Sequence, residues 1–204
     1  MNKFSRRLIS AAASLAALGT PLLGHAESTV TTGAAANLST TARIDFSVVV
    51  PKFVSLQIGT AGAGNVDLIT FTVPGLTVGN GTAVAGVGGD VGLGVVTAAV
   101  KGNNGNITLS STTSGAMNDG NAAETLSFAQ IATAATPKTF VAALAAPALG
   151  DGVTNSITVN ATNRVVNSDA TWKFTYLNTA VPASGTYGGA NVNNGRVTYT
   201  ATVP

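Results

Sequence analysis

The chain has 204 residues, ten Lys and Arg against eight Asp and Glu, one histidine and no cysteine. The missing cysteines exclude disulfide support and thiolate chemistry, and the absence of any basic stripe argues against nucleic-acid binding. Hydrophobic residues make up 45% and charged residues 9%, the reverse of the low hydrophobicity and high charge that keep a chain disordered.

Residues 1–26 have the three-part layout of a secretory signal. Lys3, Arg6 and Arg7 form a charged start, and Leu8–Leu23 is mildly apolar. Gly24-His25-Ala26 places small residues at a cleavage site, with Glu27 as the new N-terminus. A membrane anchor would need about 20 mostly apolar residues, and this stretch is shorter and interrupted by Gly19 and Pro21. Ser5-Arg6-Arg7-Leu8 also resembles a twin-arginine signal, but nothing in the chain calls for a prefolded cofactor protein, which favours the general secretory route. The expected product is therefore exported to the periplasm, cell surface or exterior, without a membrane span. Cleavage removes three of the ten basic residues, leaving seven against eight acids and a side-chain charge of −1. It also removes His25, the only histidine.

The mature chain, residues 27–204, is long enough for one domain. Period-two alternation dominates it. In Ala42–Val50 one face carries Ala42, Ile44, Phe46, Val48 and Val50. Pro51, which cannot donate to a ladder, breaks the pattern, and it resumes at Val54, Leu56 and Ile58. Leu68–Val73 reads as a strand ending at Pro74-Gly75, and glycine-rich residues 75–94 as loop with one weak strand near Thr82–Ala85. Val91–Lys101 and Ile107–Thr113 read as a hairpin around Gly102-Asn103-Asn104-Gly105-Asn106, because Asn-Gly supplies the positive φ of tight turns. Leu126–Ile131 is a short apolar segment. Phe140–Leu149 is alanine-rich but bracketed by Pro137 and Pro147, which favours strand or loop over helix. Ile157–Ala161 alternates again. Trp172, Phe174 and Tyr176 then share one face, and Val197, Tyr199, Ala201 and Val203 alternate with Arg196 and threonines to the end.

Eight to ten short strands without a convincing helix predict an all-β antiparallel sandwich in a single domain over 27–204. The expected core comprises Phe46, Val48, Leu56, Ile58, Phe71, Val95, Ile107, Leu109, Trp172, Phe174, Val197 and Tyr199.

Two stretches, "ARIDFSVVVPKFVSLQIGT" at residues 42–60 and "PASGTYGGANVNNGRVTYTATVP" at 182–204, together resemble secreted pilin-like β-sandwich proteins, including spore-coat-U-like and archaic chaperone–usher subunits. The resemblance covers the two ends, about a quarter of the chain. It implies an immunoglobulin-like fold open to completion by a strand from a neighbour. Such subunits commonly carry a cysteine pair near the first strand, and this chain has none.

Without His25 the mature chain lacks the imidazole of a Ser-His-Asp or Cys-His device, and a His- or thiolate-based zinc or copper site falls with it. Asp67, Asp90, Asp119 and Asp151 lie beside glycine, asparagine or loop residues and read as turn formers. Asn118-Asp119-Gly120-Asn121 with Glu124 lacks the spacing of an EF-hand loop. Gly86-Val87-Gly88 is followed by Val91 where a dinucleotide fingerprint needs glycine. No catalytic, cofactor-binding or metal residue is therefore expected. Two functions remain open. One is a non-catalytic cell-surface structural or adhesive subunit, assembling with itself or with a periplasmic chaperone through Ile44, Phe46, Val48 and Val50. The alternative is a monomeric secreted carbohydrate-binding domain. The aromatics of the Trp172 strand could stack on sugar but read better as core, which leaves Tyr187, in a glycine-rich loop, as the exposed ligand contact.

Overall fold

The computed structural model describes residues 29–34, 36–121 and 123–204. The expected signal, residues 1–26, lies outside the described residues. The chain separates into two units, Met1–Val50 and Pro51–Pro204.

The described residues of the second unit form twelve strands. They are β1 (Val54–Ile58), β2 (Ile69–Thr70), β3 (Val84–Ala85), β4 (Val87–Gly88), β5 (Val95–Gly102), β6 (Ile107–Thr113), β7 (Met117–Asn118), β8 (Thr125–Leu126), β9 (Ile131–Thr136), β10 (Thr154–Val159), β11 (Val166–Tyr176) and β12 (Val197–Thr202). The only helical elements among the described residues are two three-residue 3₁₀ turns. The expectation of an all-β sandwich holds. The strand number exceeds it because short pairs such as β2–β4 and β7–β8 carry no alternation to read.

One main sheet runs β1-β5-β11. Beyond the end of β5, Tyr176 of β11 holds Val84 of β3 on one edge and Ile131 of β9 on the other. The second sheet runs β10-β6-β12, and every pairing in both sheets is antiparallel. The inner faces meet in one core. Val96, Ala98 and Val100 of β5, Ile107 and Leu109 of β6, and Ala170, Trp172 and Phe174 of β11 are buried there. Trp172 is fully buried and lies 5.4 Å, centroid to centroid, from the Tyr199 ring on the opposite sheet. Burying an indole requires a partner for its N–H, and Nε1 donates to the Leu144 carbonyl at 2.6 Å.

Leu144 belongs to the alanine-rich segment, which forms neither helix nor strand but an internal plug. Leu144 and Pro147 are buried. The Leu144 amide donates to Asp169 O of β11, and Ala148 O accepts from Ser111 Oγ of β6 and Asn155 Nδ2 of β10. The plug thus ties both sheets together. The outer face of the second sheet is a grid of hydroxyls: Thr154, Thr112 and Thr198 are in register, then Ser156, Ser110 and Thr200, then Thr158, Thr108 and Thr202. Threonine keeps β propensity while wetting an exposed face, as a charge-poor chain requires.

Several expectations are corrected. Val95–Gly102 and Ile107–Thr113 are not a hairpin. Both edges of β5 are taken by β1 and β11, and both edges of β6 by β10 and β12, so residues 103–106 carry the chain from one sheet to the other. Residues 42–50 form no strand, and Phe46 and Val48 are 85% and 84% exposed rather than core. Alternation decides which side chains share a face but supplies no partner strand. Leu68–Val73 contracts to Ile69–Thr70 because its partner β4 offers only two residues. Ile107, Leu109, Trp172 and Phe174 are buried as expected, while Leu56, Ile58, Phe71 and Tyr199 pack half-buried at the core margin. Val95 and Val197 are half-buried at strand ends.

Candidate assembly site

The first unit ends in an apolar segment, residues 42–50. Thr29 and Thr31 hydroxyls donate to Thr41 O and Ser39 O, so residues 29–31 lie beside 39–41. Ile44, Phe46, Val48 and Val50, which alternate in sequence, are each at least 70% exposed. Val49, on the other face, is 90% exposed. Among the described residues no ladder pairs with residues 42–50. Burying one such valine or phenylalanine is worth about 1.5–3 kcal/mol, which this arrangement leaves unused.

At the foot of this segment the second unit holds its own first residues firmly. Asn103 Nδ2 donates to Pro51 O at 2.7 Å, and Phe53 N donates to Asn103 Oδ1 at 2.9 Å. Lys52 Nζ and Asn104 Nδ2 both donate to Pro204 O. One asparagine in the β5–β6 crossing therefore clamps the start of β1 from both sides. Sequence reading missed this role. The Asn103-Asn104 pair marked a turn, and nothing in a turn motif names a partner fifty residues away.

The second unit also has an open side. β1 pairs only with β5, and β12 pairs only with β6. Their outer edges therefore carry backbone groups with no ladder partner among the described residues, and β1 and β12 approach one another across the sandwich. The inward side chains here, Leu56 and Ile58 of β1 and Tyr199 and Ala201 of β12, are only half-buried. A cleft of about 450 Å³ runs beside the β1 edge, lined by Ser55–Ile58 and by loop residues from Thr60 to Asn65. Asp67 braces that loop by accepting from Thr60 N and Thr60 Oγ1, both at 2.7 Å. The Tyr199 hydroxyl is buried without a hydrogen-bond partner among the described residues, and burial pushes its phenol far above the ordinary range.

Tyr187 is half-buried rather than presented to solvent. Its hydroxyl donates to Ala183 O at 3.0 Å, and burial, followed by the charges of Asp119 and Glu124, raises its pKa. Trp172, Phe174 and Tyr176 are buried, so that strand offers no stacking platform. The loop aspartates act as local braces. Asp90, Asp119 and Asp151 accept from the amides of Thr97, Asn121 and Phe128. Among the described residues no group of three or more His, Cys, Asp or Glu is placed to hold a metal, and no helix is long and apolar enough to cross a membrane.

An exposed apolar segment that forms no strand and sheet edges without a ladder partner among the described residues thus occur in the same chain. No family model matches the chain, and no curated protein or solved structure matches it.

Proposed function

We propose that this chain is a non-catalytic, exported structural or adhesive subunit of the cell surface, pilin-like or spore-coat-U-like in kind, with an immunoglobulin-like sandwich. Subunits join when Ile44–Val50 of one copy adds to the β1 or β12 edge of another. The observation that carries this reading is the exposure of Ile44, Phe46, Val48 and Val50, alternate residues of a segment with no ladder partner among the described residues. Strand addition takes affinity from backbone hydrogen bonds and specificity from alternate side chains entering successive pockets, and these four residues have the required spacing. Until assembly, a periplasmic chaperone would cover the same edges. The rival reading, a monomeric carbohydrate-binding domain, loses its stacking face to the core.

Sizing of the exported protein before and after heating in detergent tests the proposal. Wild type should form heat-sensitive ladders. Phe46→Asp with Val48→Asp should abolish them and leave the thermal melt of the body unchanged, because both side chains lie in solvent. A wild-type monomer at high concentration, or a double variant that unfolds, would refute the reading.

A further inference from the structure

Five dipeptides of the body are among the most labile a polypeptide can carry: Asn80-Gly81, Asn104-Gly105, Asp119-Gly120, Asp151-Gly152 and Asn194-Gly195. Glycine has no Cβ to shield its amide nitrogen. That nitrogen, once it has lost its proton to hydroxide, can attack the side-chain Cγ of the residue before it. An N–Cγ bond forms, the Cγ–Nδ2 bond of asparagine breaks, and ammonia leaves with a proton taken from water; aspartic acid loses water instead. A second water opens the five-membered ring at either carbonyl, giving aspartate or its β-linked isomer. The reaction needs an amide proton free to leave and a side chain free to swing onto the nitrogen.

The fold engages both groups at every pair. Gly81 N donates to Asn178 O at 2.8 Å, Gly105 N to Arg164 O at 2.9 Å and Gly195 N to Val192 O at 2.8 Å. Gly152 N donates to Thr113 Oγ1 and Gly120 N to Asn118 Oδ1, both at 3.0 Å. The side chains are held as well. Asn104 Nδ2 donates to Pro204 O and its Oδ1 accepts from Arg164 Nη2, each at 2.6 Å. Asn80 Oδ1 accepts from Thr82 N at 2.8 Å, Asp151 Oδ1 from Phe128 N at 2.7 Å and Asp119 Oδ1 from Asn121 N at 2.9 Å. Asn194 Nδ2 donates to Ala116 O at 3.1 Å.

A shielding side chain in place of glycine is not open to most of these turns. Gly81, Gly105, Gly120 and Gly152 have φ of 78°, 120°, 98° and 63°, where a Cβ is strained. Protection therefore falls to the hydrogen bonds, and these differ in kind. The acceptors of Gly81, Gly105 and Gly152 belong to distant segments and are lost only when tertiary structure opens. Those of Gly120 and Gly195 lie within the same turn, where a local fluctuation releases them.

We propose that Asn80, Asn104 and Asp151 are modification sites closed by the folded body and opened by its unfolding, so that their conversion marks a chain that has lost its fold. The β-linked isomer adds a carbon to the backbone at a turn and makes that unfolding irreversible. The inference rests on the body alone and is independent of strand addition by residues 44–50.

The test ages the full-length exported protein in mildly alkaline buffer, with and without concentrated urea. Peptide mass mapping reads asparagine conversion, and enzymatic methylation reads the β-linked isomer. Conversion at Asn80, Asn104 and Asp151 should be at least about tenfold slower in the native sample than in urea, with Asp119 and Asn194 leading in the native sample. Folded Thr113→Val, which removes the acceptor of Gly152 N, should speed isomerisation at Asp151 while Asn80 and Asn104 stay slow, and Thr113→Ser should restore the slow rate. If a thermal melt shows that Thr113→Val is unfolded, all three sites should convert at the urea rate. Native conversion at Asn80 or Asn104 as fast as in urea would overturn the proposal. So would an unchanged Asp151 rate in folded Thr113→Val, or slow conversion in an unfolded one.

Discussion

Asn178 offers a demanding test of how the body is held. It follows β11, is fully buried and sits at φ 56°. Its side-chain nitrogen donates to Thr77 O at 2.7 Å, Thr82 O at 3.2 Å and Asn80 Oδ1 at 3.3 Å, and its oxygen accepts from Gly79 N at 2.9 Å. One side chain thus replaces a ladder for residues 77–82. In Asn178→Ala the Gly79 amide and Thr77 carbonyl lose their partner, at roughly 1 kcal/mol each after partial rehydration. Alanine in the left-handed region adds about 1 kcal/mol more. The expected loss is about 3 kcal/mol, or a fall in Tm of about 6–12 °C for a body of this size. Asn178→Gly removes the same hydrogen bonds without the backbone penalty and should lose about 1 kcal/mol less. Urea denaturation measures both, and amide exchange at Gly79 should accelerate in each. A loss below about 1 kcal/mol for Asn178→Ala, or equal losses for alanine and glycine, would refute this account.

Trp172→Ala should cost about 3–5 kcal/mol in urea denaturation, whereas Trp172→Phe, which keeps much of the volume but orphans the Leu144 carbonyl, should cost about 1–3 kcal/mol. Tyr199→Phe removes a buried hydroxyl with no partner among the described residues and should be neutral or stabilising by about 1 kcal/mol; a clear loss would reveal a partner for it. Because burial raises the Tyr199 pKa, the wild-type fold should lose stability as pH climbs above the ordinary tyrosine range, and the phenylalanine variant should lose less. Asp169 is held below its ordinary pKa chiefly by the Thr139 hydroxyl, then by the Thr139 amide, so its contribution is present at neutral pH and lost as pH falls through the depressed value. Thr139→Val should move the Asp169 titration, followed by NMR, and the acid-unfolding midpoint to higher pH.

Much of the second unit was legible because its strands have one wet face and one dry face. The alternation at Ile107–Thr113, at Trp172, Phe174 and Tyr176, and at Val197–Val203 follows directly from that environment. Partnership was not legible. Asn103, Asn104 and Gly105 read as a hairpin turn, yet positive φ at Gly105 serves a crossing between sheets equally well. The plug was hidden because Leu144 and Pro147 are buried by tertiary position rather than by any period. Of the candidate site, the face shared by Ile44, Phe46, Val48 and Val50 was visible in sequence, but its exposure was not. A core strand and an exposed apolar segment can carry the same alternation. Asn178 and Asn103 were invisible, since a polar hub depends on what surrounds it.

The crossing between β5 and β6 fixes the order in which the body can form. β5 gains β11 only after residue 176 has been made, and β6 gains β12 only after residue 202. Until then Val96, Val100, Ile107 and Leu109 have no closed sheet to enter. Pairings this distant in sequence give high contact order and slow, cooperative folding. During that interval these apolar strands are open to aggregation, and the body then closes in a single late event set by its last two long strands.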